Sequence, residues 1–384
     1  MLAFSHSVFD ILWLSAFVGA SRMLLLSVVL ESATQMTVVV KAQASPINTT
    51  MNTSTVGSNT GDFLFMAKRY IGTEHRLLHD GLVRWFMEYP PPPSTSTSAN
   101  HTVPVLILLH FGTGNMRSSR LFGRSVEKDP WLRLAAQYGY LVLSPSAVAP
   151  RRWGRRGYNT KPYKGDWNDL LGGVNNNVAD INDVGFISSL VDWAVRERNG
   201  DPTRVYIYGF SNGGTMVQRM IIERPNLFAA AAAGVANLPA AYIPFPNHST
   251  PFFLMCGTKD NRMPYLGGIA ADKRGVLRSA ESTRDFFVDS NQAGPNMIET
   301  MLPDTDPTDN CRIISQFFPS DTAPVQYYRM DGGGHNFAGE KSTIAGIQIP
   351  NTLIYVLDFL LGNPCHDADG VQLAWDFMTK FTLS

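Results

Sequence analysis

Ser211 lies in Gly209-Phe210-Ser211-Asn212-Gly213, where the sequence passes from strand-forming to helix-forming residues. Val205 to Tyr208, led in by Arg204, favour an extended chain, and Met216, Val217, Met220 and Ile221 recur on one side of a helix. A serine on so sharp a turn takes a strained backbone conformation, and side chains two positions to either side would collide. Glycines at 209 and 213 remove those side chains. The Ser211 hydroxyl then stands at the C-terminal end of a strand, exposed for nucleophilic attack on a carbonyl.

A serine nucleophile needs a base, and the base needs a carboxylate to orient it. With a strand-serine-helix elbow these partners follow in the order acid, then histidine. Three histidines follow Ser211: His248, His335 and His366. His335 lies in Asp331-Gly332-Gly333-Gly334-His335-Asn336-Phe337, directly after an apolar run, where a glycine-rich turn carries a side chain over a strand edge without crowding it. It is the expected base. Asp260 ends the turn Gly257-Thr258-Lys259-Asp260 after the apolar run 251–257 and is the expected acid, with Asp289 the fallback.

These residues need a scaffold of buried strands. Residues 103–110 (VPVLILLH) form a nearly continuous apolar run that suits a strand covered on both faces, and Phe111-Gly112-Thr113-Gly114 after it occupies the place of an oxyanion loop. Strands are expected at 82–89, 141–145, 229–236, 251–257, 312–318 and 325–330. Helices are expected at 131–138, 178–198, after Ser211, from a Ser279 cap to about Asp289, and at 351–361. Alternating strands and helices predict an α/β fold, a doubly wound, mostly parallel sheet with helices on both faces. The insertion 146–176 carries Arg151, Arg152, Arg155 and Arg156 among aromatics. It reads either as a solvated loop or as a substrate-facing wall of Trp153, Tyr158 and Trp167.

Lys and Arg total 32 and Asp and Glu total 32, so nothing in the charge points to nucleic acid. The three cysteines lack C-x-x-C spacing and no H-E-x-x-H occurs, so neither a metal nor a cofactor is expected. Residues 1–44 read as a signal peptide, cleaved after Ala20 or Ala44, or as an N-terminal anchor; Asp10 and Arg22 make them a poor membrane span. Residues 45–62 read as a disordered polar linker and 63–384 as the catalytic domain, folding from near Phe63. Sequons at Asn48, Asn52, Asn100 and Asn247 fit an extracellular glycoprotein. In that compartment Cys311 and Cys365 are expected to pair, leaving Cys256 in a buried strand.

The stretches LLHFGTGN, DINDVGFI, RVYIYGFSNGG, FAAAAAG, CGTKDNRMPYLGG and GGGHNFAG, in that order, resemble the polyhydroxybutyrate-depolymerase/feruloyl-esterase group of secreted α/β-hydrolases over about residues 80–361. The resemblance implies an α/β-hydrolase fold and a serine carboxylic-ester hydrolase, with Ser211 nucleophile, Asp260 acid and His335 base. Its oxyanion hole would come from the N–H of Asn212 and of Phe111 or Gly112. The chain departs from the group in two places. Phe111 separates His110 from Gly112 where His-Gly is usual, and Phe337-Ala338 stands where tryptophan and proline are common. By the resemblance, Phe337 borders the acyl site. A serine peptidase of the prolyl-oligopeptidase type shares the elbow and triad order, although no stretch resembles that family's propeller. A catalytically inactive binding module of the same fold is the other alternative.

Overall fold

The computed structural model describes residues 11–17, 23–32, 35–42, 72–92, 102–117, 129–150, 158–159, 165–171, 180–241, 246, 249–339, 343–344, 347–348 and 361–383. The chain divides into two units, Met1–Asn59 and Thr60–Ser384. In the first, β1 (Ile11–Phe17), β2 (Met23–Ser32) and β3 (Gln35–Ala42) pair antiparallel in that order. Apolar runs read from sequence as a leader or anchor are therefore strands here, in keeping with their valine and leucine content. No helix among the described residues is long and apolar enough to cross a membrane. The linker 45–62, the start near Phe63, the four sequon asparagines, Arg151 to Arg156, His248 and residues 351–360 lie outside the described residues.

The second unit runs β4 (Thr73–His79), β5 (Leu82–Tyr89), β6 (Val103–Leu109), α1 (Pro130–Tyr138), β7 (Leu141–Pro145), β8 (Ala149–Pro150), β9 (Tyr158–Asn159), α2 (Asp183–Arg198) and β10 (Gly200–Phe210). It continues with α3 (Asn212–Glu223), β11 (Ala230–Gly234), β12 (Phe252–Gly257), β13 (Gly268–Ile269), β14 (Val276–Leu277), α4 (Ala280–Ser290) and β15 (Ile298–Met301). It closes with β16 (Arg312–Phe318), β17 (Val325–Asp331), β18 (Thr343–Ile344), β19 (Ile347–Gln348) and α5 (Gly370–Met378). Ten of these strands form one sheet, ordered β15-β16-β17-β12-β11-β10-β6-β7-β5-β4. Every neighbouring pair from β17 to β7 is parallel, and antiparallel strands flank this centre on both edges.

Alternation along the central strands feeds two cores. Val105, Ile107 and Leu109 of β6 join one cluster with α2, α3 and α4, through Phe186, Met216 and Phe287. Leu106 and Leu108 join the other with α1 and α5, through Trp131 and Trp375. Each such fully buried large side chain contributes ~1.5–3 kcal/mol, so the doubly wound arrangement follows from the strand sequences being apolar on both faces.

Local signals set the helix ends. Asp129 accepts from Leu132 N at 3.1 Å before Pro130, and Gly139 (φ 76°) ends α1. Asn182 accepts from Gly185 N at 2.8 Å to start α2, and Ser279 from Ser282 N at 3.0 Å to start α4. Each cap is worth ~1 kcal/mol. Helix α5 was not foreseen. Asp369 caps it, and its Trp375 packs on Tyr140 with ring centroids 4.6 Å apart. Cys311 and Cys365 are joined by a disulfide, which fastens the chain before α5 to the start of β16, and Cys256 is free and buried.

Candidate active site

Ser211 occupies the sharp turn between β10 and α3 with φ 56° and ψ −125°, a region costly for any residue with a Cβ. Neighbouring hydrogen bonds hold it there: its N–H donates to Gly234 O at 2.9 Å, and its carbonyl accepts from Thr215 N at 3.0 Å. The flanking glycines have no room for side chains. A Cβ on Gly209 would lie 2.8 Å from Gly214 N and closer still to the Gly213 carbonyl, while one on Gly213 would lie 2.5 Å from His110 O. That second approach brings the start of α3 against the end of β6, so Asn212 and the loop after His110 lie side by side.

His335 and Asp260 reach Ser211 from the turns after β17 and β12. Those turns are interlocked: Lys259 N donates to Gly333 O at 2.8 Å, and a Cβ on Gly257 would strike the carbonyls of Gly333 and Gly334. Asp260 Oδ1 accepts from the backbone N–H of Arg262 and of Met263, both at 2.8 Å, which aims Oδ2 at His335 Nδ1, 2.7 Å away. His335 Nε2 lies 2.9 Å from Ser211 Oγ. Because the carboxylate only accepts, Nδ1 carries the imidazole proton and Nε2 accepts from the serine hydroxyl. Phe210 meets the imidazole edge-on at 5.3 Å, and both His335 and Asp260 are buried. A hydrogen-bonded line thus runs from hydroxyl to imidazole to carboxylate. His366 lies elsewhere, its Nδ1 3.2 Å from Asp306, and the fallback acid Asp289 is exposed on α4.

His110 is fully buried and has a different task. Its Nε2 accepts from Ala147 N at 3.0 Å, so Nδ1–H donates to Phe111 O at 2.7 Å. Burial pushes its pKa down to about 4 from the usual 6.5. A depressed histidine value contributes stability that is fully present above pH 6.5 and is lost as pH falls through about 4. Urea unfolding at pH 7 and pH 5 should therefore show His110→Gln losing less stability on acidification than the parent; equal losses would contradict this.

Of the aromatic residues expected to meet substrate, Trp167 and Phe337 are among the described ones, and both are buried. Trp167 is fully buried: its indole N–H donates to His110 O at 2.9 Å and its ring lies 4.8 Å from the His110 ring. Phe337 is also fully buried, packed at 5.7 Å against Tyr208 and at 6.3 Å against Phe253. Both are core residues that shape the site from beneath. In the loop after His110, Phe111 packs on the second core cluster. One residue later, the Arg274 guanidinium fills the space a Cβ on Gly112 would take, so a side chain there would have to displace it.

The Asn212 side chain turns away from Ser211. Its Oδ1 accepts from Trp167 N at 2.9 Å, and its Nδ2 donates to Trp167 O at 3.2 Å and to Asp169 Oδ2 at 2.5 Å. Burial raises the Asp169 pKa to about 6, opposed by the Arg274 charge and the Asn212 bond. Asp166, Asp169 and Arg274 were not singled out in the sequence. The signal that could have found the two carboxylates is the run Asp166-Trp167-Asn168-Asp169, two acids around a tryptophan inside a long insertion; nothing local marks Arg274.

The parallel sheet of this order, with a glycine-flanked serine between its central strand and the next helix, is the α/β-hydrolase fold. A family model described as "Prolyl oligopeptidase family" matches residues 174–242, a stretch that includes the elbow. Acetylxylan esterase A of Emericella nidulans is 29% identical over 137 residues, covering 35% of this chain and 38% of that protein. Acetylxylan esterase A of Aspergillus oryzae is 27% identical over 144 residues, covering 35% and 38%. The aligned part is thus well under half the length of these curated relatives. Among solved structures, acetyl xylan esterase from Aspergillus awamori is similar with a TM-score of 0.46 and 16% identity, over 69% of this chain and 94% of that one. A ferulic acid esterase is similar with a TM-score of 0.40 and 16% identity, over 69% and 91%.

Proposed function

We propose that this chain is a serine carboxylic-ester hydrolase. The observation that carries the reading is the line from Ser211 Oγ through His335 to Asp260 Oδ2, with contacts of 2.9 and 2.7 Å, at a strained elbow. Ser211 Oγ attacks the ester carbonyl as His335 Nε2 takes its proton, and Asp260 holds the imidazole in the tautomer that permits this. The N–H of Asn212 and that of Phe111 or Gly112 stabilise the tetrahedral oxyanion, each worth ~3 kcal/mol in the transition state. His335 then protonates the leaving alcohol, and water releases the acyl group by the reverse sequence of proton transfers.

The acetylxylan esterase relatives favour an ester borne by a polysaccharide, with acetyl and feruloyl groups the leading acyl candidates and hydroxybutyrate polyester a further one. A peptidase is the second reading, favoured by the match of residues 174–242 to the prolyl oligopeptidase family. Residues 1–44 are proposed to direct export and Asn48, Asn52, Asn100 and Asn247 to carry glycans, in line with the Cys311–Cys365 disulfide. One experiment covers these points. The full-length chain is expressed and the medium assayed with p-nitrophenyl acetate, acetylated xylan, feruloyl arabinoxylan, hydroxybutyrate oligomers and a prolyl p-nitroanilide. Ester hydrolysis in the medium by a chain shortened at its N-terminus is expected. Cleavage of the anilide alone would overturn the esterase in favour of the peptidase, and turnover of none would leave a binding module.

A further inference from the structure

Resting on the reading of Ser211 as the acyl-accepting nucleophile, we infer that Asp166 and Arg274 are a positioning pair that holds the oxyanion loop against the nucleophile. Asp166 Oδ1 accepts from Thr113 N at 2.8 Å and from Arg274 Nη2 at 2.6 Å, so a single carboxylate oxygen joins two segments distant in sequence. Thr113 belongs to the loop after His110. Arg274 belongs to the connection between β13 and β14, part of the segment whose first N–H groups, from Arg262 and Met263, orient Asp260. The pair therefore ties the loop proposed to stabilise the oxyanion to the segment that fixes the acid.

The loop needs such a tie. Thr113 has φ 63°, an uncommon value for a β-branched residue, and it persists only where the surroundings impose it. The turn closes with Gly114 N donating to Phe111 O at 3.0 Å, and Gly165 N donates to Gly114 O at 2.8 Å. These bonds engage Phe111 O, Thr113 N and Gly114 at both N and O, and they leave the N–H groups of Phe111 and Gly112 without a partner among the described residues. Arg274 Nη1 lies directly against Gly112, so a larger residue there would displace the guanidinium, whose charge now sits beside the proposed donor. Asp166 is in turn fixed by its neighbours. Gly165 pairs with Gly114, and Trp167 is clamped by the Asn212 carboxamide and bonded to His110 O. The segment 165–169 is thus a strut between the oxyanion loop and the start of α3.

A pair that only stabilises the fold would affect unfolding without changing transition-state binding. A positioning pair changes kcat and the affinity for tetrahedral analogues together, because both depend on donors aimed at the oxyanion. The test uses the full chain with p-nitrophenyl acetate, an aryl boronic acid as tetrahedral analogue, and a fluorophosphonate that labels Ser211. Asp166→Ala is expected to lower kcat by about 10–100-fold, leave KM within about threefold, and weaken the boronic acid by the same factor as kcat. Arg274→Gln should behave alike, Arg274→Lys should recover part of the loss, and the double variant should be no worse than Asp166→Ala alone. Asp166→Asn keeps an acceptor for Thr113 N and supplies a milder variant should alanine fail to fold. Unchanged boronic acid affinity in variants that still take the label would overturn the positioning role, as would losses in the double variant equal to the product of the singles. A parent protein that takes no label on Ser211 would overturn the nucleophile itself, an outcome distinct from both.

Discussion

Ser211→Ala is expected to reduce kcat/KM for esters by ~10⁴–10⁶-fold while leaving the unfolding temperature nearly unchanged. Alanine retains a Cβ at φ 56°, so the turn keeps its strain and its backbone bonds to Gly234 and Thr215. Only the hydroxyl and its 2.9 Å contact with His335 Nε2 are lost. His335→Ala should cost nearly as much, and the double variant hardly more, because the two side chains act as one unit. The residual rate would come from the Asn212 and loop N–H groups. Steady-state kinetics on p-nitrophenyl acetate check this, and a double variant far slower than either single would contradict the shared role.

The second large effect lies under the site. Arg84 and Asp183 are almost wholly buried and form an ion pair at 2.6 Å. Arg84 also donates to Ser146 O at 3.3 Å and lies 4.0 Å over the Phe186 ring, while Asp183 Oδ2 accepts from Asn168 N at 2.8 Å. Asp183→Ala would leave a buried guanidinium uncompensated, and about 3–5 kcal/mol of destabilisation is expected. Replacing both partners, as Arg84→Met with Asp183→Leu, should recover most of that loss because no unpaired charge remains. Because Asn168 follows Trp167 in the strut, activity at low temperature should also fall in the single variant. Urea midpoints measure the stability term; a loss below about 1 kcal/mol would show that water or a rearranged partner neutralises Arg84.

Much of this arrangement was readable in the residues because it is local. The run 103–110, the glycines around Ser211 and the Gly332–Gly334 turn each state their own conformation. The expected acid and base follow from where such turns must fall at strand ends; in the structure His335 lies 2.9 Å from Ser211 Oγ and Asp260 lies 2.7 Å from His335. What escaped is set by distance in the chain. Asp166 acts on the backbone of Thr113 and on Arg274, and neither partnership leaves a mark in local composition. The antiparallel flanks were missed in part for a similar reason: β15 is exposed along its whole length, so it lacks the apolar alternation that marks a half-buried strand. Trp167 was expected to meet substrate as part of a long aromatic insertion, and Phe337 because the family resemblance puts that position beside the acyl site. Adjacency in sequence does not say which side of a turn a ring takes, and here both rings turn into the core.

The most direct test of the central claim is to identify the residue that becomes covalently modified. The chain is incubated with a fluorophosphonate and its peptides are read by mass spectrometry. The account predicts one phosphonyl adduct on Ser211, slowed strongly by His335→Ala and absent from Ser211→Ala. An adduct on another serine, or ester turnover that persists in Ser211→Ala, would contradict it.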